Sequence, residues 1–226
     1  MMLKGDAVYS LTVMFLAVWD YLKGIDEDYE QYKPERFGEQ KYPVDGYVQP
    51  FSDNPLDDEA VGETVYLNLI TRAKEYVYIT TPYLIIDAEM MTALCNAAKQ
   101  GIDVRIITPH IPDKWYVHAV TRSNYDQLLQ SGVKIYEYTP GFIHAKTFIV
   151  DDEYAVIGTI NLDYRSLFLH FECGVWMYRS SSIRHIKEDF LETLTKSDEV
   201  TWEKYQQVPW YRRIGWALLN LFAPLM

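Results

Sequence analysis

Between positions 6 and 22 apolar residues recur at steps of three and four. Val8, Leu11, Phe15, Val18, Trp19 and Leu22 fall on one face of a helix, and Asp6 stands where it could cap the start. From Gly24 to about Glu63 that period is lost. Asp26, Glu27, Asp28, Glu30, Glu35 and Glu39 crowd together, and prolines at 34, 43, 50 and 55 interrupt regular structure. Residues 24–42 therefore read as an acidic linker, with a short strand at 47–51 opening the main domain.

Beyond this point, helical and strand periods alternate. Helices are predicted at 62–73, 88–99 (ended by Gly101) and 121–130. Strands are predicted at 76–80, 104–108 and 133–138. This rhythm implies an α/β sandwich with a mainly parallel first portion. Three strands follow, at 145–151, 154–158 and 171–177, with no long helix between the first two, so the sheet should be mixed. A helix at 182–195 carries Ile183, Ile186, Phe190 and Leu191 on one side. A last amphipathic segment spans 210–222.

Composition narrows the functional classes. The 226 residues carry a formal net charge of −11. A nucleic-acid binder usually shows a basic footprint, so nucleic acid is not the expected partner. Two cysteines, Cys95 and Cys173, make neither a disulfide framework nor a zinc cluster and read as reduced core thiols. No apolar run reaches the roughly 18 residues of a spanning helix, and no signal peptide is evident. A soluble or peripheral protein is expected.

The chemistry concentrates between Phe142 and Val175. His144 and Lys146 are two apart in a predicted strand and so share a face. If Asp152 and Glu153 form a two-residue turn, Asp151 pairs with Tyr154, Lys146 falls opposite Thr159, and His144 falls opposite Asn161. Opposed residues have Cβ atoms about 5 Å apart. An imidazole, an ammonium, a hydroxyl and an amide would then share one patch. Lysine and asparagine donate to phosphate oxygens, and histidine can attack phosphorus or move a proton near neutral pH. No metal cluster or cofactor motif accompanies them, so the chain itself is expected to supply the cation for phosphoryl or phosphatidyl transfer.

His144, Lys146 and Asp151 match an H-x-K-x4-D pattern, and Gly158-Thr159-Ile160-Asn161 follows as G-[ST]-x-N. In these residues the chain resembles the phospholipase D superfamily. Thr80-Thr81-Pro82-Tyr83 with Asp87, Gly132 to Tyr138, Asn161 to Ser166 and the closing Pro224-Leu225-Met226 are similar to bacterial cardiolipin synthases. The resemblance covers nearly the whole chain. It implies a phospholipase D-like sandwich, with a mixed, mostly parallel sheet flanked by helices. His144 would form a phosphatidyl-histidine intermediate or act as proton donor. Lys146 and Asn161, with Thr159 assisting, would hold the non-bridging phosphate oxygens, and Glu172 would orient a histidine. Asp151 and Gly158 would be structural. His110, His118, His170 and His185 lack motif support, and Asp163, Arg165 and Ser166 read as loop-fixing.

Family members carry two such motifs, and no second H-x-K-x4-D occurs here, since His185-Ile186-Lys187 is followed by Glu192 and not Asp at that spacing. The expected organisation is residues 1–23 as a helix left from a missing first lobe, 24–43 as the linker and 44–226 as the catalytic lobe. The implied activity is transfer of a phosphatidyl group between phosphatidylglycerol molecules. It would need a second half-site, from a homodimer or a separate N-terminal chain. The rivals are a homodimeric phosphodiesterase and an inactive half or assembly subunit. The expected location is peripheral, at the cytoplasmic face of the cell membrane. For the segment 210–222 the preferred role is a helix docked on the core, the other being contact with a membrane surface.

Overall fold

The computed structural model describes residues 2–34 and 45–225. The first helix, α1 (Ala7–Lys23), ends on Gly24, whose left-handed φ of 64° lets its N–H reach Asp20 O. Asp6 holds the N-cap position but makes no side-chain capping bond. The described part of the linker folds back on α1. Tyr29–Tyr32 forms one 3-10 turn, and Tyr29 Oη and the Glu27 N–H both donate to Asp20 Oδ2. The rest of the linker, 35–43, lies outside the described residues.

The main body is an eight-stranded sheet. Its strands are β1 (Tyr47–Asp53), β2 (Tyr76–Thr80), β4 (Asp103–Pro109), β5 (Lys134–Tyr138), β6 (Thr147–Val150), β7 (Tyr154–Gly158), β9 (Glu172–Tyr178) and β10 (Ser197–Val200). They lie in the order β1-β9-β7-β6-β2-β4-β5-β10. A separate parallel pair joins β3 (Leu84–Ile85) to β8 (Leu162–Asp163). Helices α2 (Val61–Arg72), α3 (Ala88–Lys99) and α4 (Trp115–Gln130) cover one face, and α5 (Ser182–Leu194) packs on the other. Two short helices, α6 (Trp202–Gln206) and α7 (Trp210–Asn220), close the chain against α4.

The α/β sandwich with a mixed sheet is the architecture the sequence implies. Its balance of pairings is different. Among the described residues only β2–β4 and β4–β5 run parallel in the large sheet, and its other five pairings are antiparallel. The crossover helices α3 and α4 generate the parallel pairs. The return strands β6, β7 and β9 add beside β2 in a meander, which needs no crossover.

Burial follows the pleat. All five residues of β2 are buried: Val77 and Ile79 face the core under α2 and α3, while Tyr76 and Tyr78 face the core under α5. Phe148 and Val150 of β6 join the first core and Ile149 the second. The topology also gathers the chemistry at one end. Thr80 at the C-terminal end of β2 pairs with Thr147 at the start of β6, and Gly158 at the end of β7 pairs with Gly174 in β9. His144, Lys146, Thr159, Asn161 and Glu172 all leave the sheet at this edge, where ligands of open α/β sheets commonly bind.

Candidate active site

The β6–β7 hairpin departs from its predicted geometry. Val150 pairs with Tyr154, so three residues, Asp151 to Glu153, make the connection. Asp151 (φ 52°) and Asp152 (φ 55°) are left-handed, a conformation aspartate tolerates. The register therefore shifts by one residue. Lys146 meets Gly158, whose N–H donates to the Lys146 carbonyl at 3.3 Å, and not Thr159. A one-residue slip reverses which side chains share a face. The cross-strand pairs Lys146–Thr159 and His144–Asn161 are thus not formed, and both His144 and Lys146 lie in extended chain just before β6.

Asp151 anchors the other end of this hairpin. Its carboxylate accepts the N–H groups of Lys74, Glu75 and Tyr76 at 2.7, 2.9 and 2.9 Å, pinning the start of β2. At the site end, Gly158 runs against β9. A Cβ there would come within 2.4 Å of Cys173 O and 2.7 Å of Gly174 Cα. These two motif residues shape the backbone around the site.

The extended entry to β6 brings His144 and Lys146 together. Lys146 Nζ donates to the His144 carbonyl at 2.8 Å. The lysine is 8% exposed, while the histidine lies open to solvent with its ring centroid 5.7 Å from that of Phe142. Burial pulls the Lys146 ammonium below its ordinary pKa, opposed by the carboxylates of Glu172 and Asp163. Partial desolvation and then the Lys146 charge hold the His144 imidazole below its ordinary value, with Asp113 pulling the other way. The structure therefore places an accessible imidazole, its pKa drawn down, beside a partly shielded ammonium.

The facing carboxylates belong to two small networks. In the first, Asn161 Nδ2 donates to Ser166 Oγ at 2.8 Å, and the Ser166 N–H donates to Asp163 Oδ1 at 2.8 Å. Burial raises the Asp163 pKa, against the hydrogen bonds from Ser166 and Asn161. Asn161 Oδ1 is buried without a partner. In the second, the Thr159 hydroxyl makes a short contact with Glu172 Oε2 and accepts the Cys173 N–H at 3.0 Å. The other Glu172 oxygen lies 3.8 Å from His170 Nδ1. Thr159, expected to assist at the phosphate, spends its hydroxyl on Glu172 and Cys173.

Sequence reasoning set aside two groups that the fold brings here. Asp163 sits on β8, paired beside Ile85, and faces Lys146 electrostatically. His170 arrives through a short π-helical turn, Arg165–Leu169, and takes the position next to Glu172. The available signal was the H-x-E spacing of His170 and Glu172 just before β9. Asp113 was not visible at all. It accepts from Tyr83 Oη at 2.6 Å and reaches the field of His144 from the loop after β4.

The family described as "Cardiolipin synthase, PLD-like domain" matches residues 66–194, which include every one of these groups. The chain belongs to this family. Among full-length relatives, a Streptococcus mutans protein of uncharacterised function is 48% identical over all of this chain and 48% of its own length. Cardiolipin synthases of Halalkalibacterium halodurans (37% identical, 99% of this chain, 44% of the relative) and Geobacillus kaustophilus (38%, 100% and 45%) also align. The chain thus spans about half the length of these curated relatives. Two solved structures share the fold at 18% identity. One is a phospholipase D family member, Nuc, from Salmonella typhimurium, with TM-score 0.59, covering 69% of this chain and 98% of that one. The other is a phosphatidylserine synthase from Haemophilus influenzae, with TM-score 0.61, covering 79% and 45%. In this cardiolipin synthase-family chain the motif residues of the sequence and the end of the sheet coincide.

Proposed function

We propose that this chain supplies one half-site of a phosphatidyltransferase that makes cardiolipin from phosphatidylglycerol. The observation that carries the reading is the accessible His144 ring beside the shielded Lys146 ammonium, faced by Asp163 and Glu172, with the lowered His144 pKa favouring the neutral form. A neutral imidazole is the nucleophilic form. A ring nitrogen of His144 attacks phosphorus, the bond from phosphorus to the glycerol headgroup oxygen breaks, and glycerol leaves with a proton from an acid. The hydroxyl of a second phosphatidylglycerol then attacks the phosphohistidine, gives up its proton to that same group and releases His144.

Lys146 offsets the charge that builds on the non-bridging oxygens. Asn161 would join Lys146 at those oxygens, its amide now holding Ser166 at 2.8 Å beside Asp163. Glu172 holds the neighbouring His170. The acid comes from a second half-site, because the one H-x-K-x4-D motif provides one such histidine. A twin copy of this chain related by a two-fold axis, or a separate first lobe, would supply it. We place the protein at the membrane surface on its cytoplasmic side, where its phospholipid substrate resides.

A second reading rests on one observation: the fold occurs in a chain of this single-lobe extent, since 98% of the Salmonella protein is covered. A homodimer of this chain would then pass the phosphatidyl group to water. Thin-layer analysis with labelled phosphatidylglycerol separates the two. Cardiolipin and glycerol in equal amounts support transfer, and phosphatidic acid with glycerol supports hydrolysis. If neither forms, with or without a first-lobe polypeptide, the chain is a non-catalytic half.

A further inference from the structure

Beside the candidate active site, helix α1 and the edge of the sheet enclose a cleft of about 570 Å3. One wall is the face of α1 that carries Met14, Phe15 and Val18, running from Leu11 to Tyr21. That stretch spans about 15 Å of helix axis, longer than an extended octanoyl chain. The opposite wall includes Leu56, from the loop after β1, and Phe171, just before β9. The Tyr21 and Phe171 ring centroids lie 6.3 Å apart, so the C-terminal end of α1 reaches the segment that carries Glu172.

The cleft shares residues with the site. Thr159, Glu172 and Cys173 line it directly. The Thr159 hydroxyl fixes one Glu172 oxygen, and Glu172 is the first of the two carboxylates that act on Lys146. One side chain therefore borders the cleft and also reaches the Lys146 ammonium. The lining favours hydrocarbon. Among the described residues its only charged members are Asp53 and Glu172, both acidic, so an anion is repelled there. Its polar groups are already engaged: Asp53 Oδ2 accepts the Gly62 N–H at 2.7 Å, and the Thr159 hydroxyl is held by Glu172 and Cys173. Most of the remaining lining is aliphatic or aromatic, with Met14 as an adaptable thioether, and sites for small apolar ligands have this size.

We propose that this cleft holds an acyl chain of the phosphatidyl group whose phosphate lies at Lys146 and His144. The inference rests on the phosphatidyltransferase reading and adds to it a subsite for the lipid tail. A headgroup phosphate in the cleft would meet two carboxylates and no cation, whereas a chain leaving a phosphate at Lys146 passes Glu172 into apolar surroundings. A protein segment seated in the cleft, such as a first lobe, is the competing occupant. It would leave lipid binding indifferent to chain length.

The test is titration calorimetry of the full chain with dibutanoyl-, dihexanoyl- and dioctanoyl-phosphatidylglycerol, each monomeric below its micelle concentration. A chain that enters the cleft tightens binding by about threefold for each methylene added per chain, and one left in water adds nothing. Ala17→Trp fills the cleft from an exposed helix position and abolishes that gain, so the three lipids bind alike. Leu56→Asp, in an exposed loop, puts a charge in the same cleft and carries the test if Ala17→Trp does not melt cooperatively. Leu22→Glu, on α1 but outside the cleft, keeps the gain of the parent. Equal affinities at all three lengths in the parent, no binding at any length, or a gain that survives in a folded cleft variant overturns the proposal. Lys146→Met separates this inference from the reading it rests on. It weakens all three lipids by one factor and leaves the gain per methylene intact. If Lys146→Met binds like the parent while the cleft variants lose the gain, the phosphate site fails and the acyl subsite stands.

Discussion

Lys146 is a buried amine whose surroundings lower its affinity for a proton, which costs stability and suits the proposed role at a phosphate. Lys146→Met keeps the packing and removes the charge. It should lower the rate of phosphatidyl transfer by about two to three orders of magnitude and leave the thermal midpoint unchanged or raised, measured together by turnover and calorimetry. His144→Asn removes the proposed nucleophile from a solvent-exposed position. Turnover should fall by at least about a thousandfold, with unfolding free energy within about 0.5 kcal/mol of the parent. The pH profile follows from the same two groups. His144 must be neutral to attack, and its pKa lies below the ordinary value of about 6.5. The acid limb of kcat/KM should therefore fall below that value. Lys146 must be charged, and its pKa is also lowered, so the alkaline limb should come before the ordinary lysine value of about 10.4. A profile rising only above neutrality would contradict this. At this scale the motif was legible because H-x-K with G-[ST]-x-N is local in sequence. Asp163, His170 and Asp113 were not. They enter through β8, a π-helical turn and the loop after β4, and no sequence period reports those contacts.

At the scale of elements, the β6–β7 hairpin decides which motif residues meet. Asp151 ties it to β2 with three charge-assisted hydrogen bonds, so Asp151→Ala should cost about 2 kcal/mol in a denaturant titration. Gly158→Ala forces a methyl group onto the β9 backbone and should cost about 2–3 kcal/mol. It should also lower activity, because Thr159 and Asn161 follow directly. The long strands and helices were readable from their periods. Helix α4 begins at Trp115, earlier than the predicted 121, and its first turns bury Val117, Ala119 and Val120. The pairs of residues in β3 and β8 are too short to show alternation, and Ser197–Val200 of β10 is polar because it is an edge strand. The hairpin register failed for a similar reason. Asp151 and Asp152 both accept left-handed backbone, so a three-residue turn competes with the two-residue one and shifts every partner by one.

For the whole molecule, one lobe presents one motif histidine and one shielded lysine. The family relatives are about twice as long, and the proposed reaction needs an acid on the far side of the phosphate. The most direct measurement is mass spectrometry of the chain quenched in neutral denaturant after incubation with phosphatidylglycerol, because the phosphorus–nitrogen bond of a phosphohistidine is acid-labile. The account predicts a phosphatidyl adduct on the tryptic peptide running from Ile135 to Lys146, whose single histidine is His144. The adduct should be absent from His144→Asn and should disappear as cardiolipin forms. Cardiolipin formation by His144→Asn at the parent rate, or an adduct on any other residue, would contradict the account.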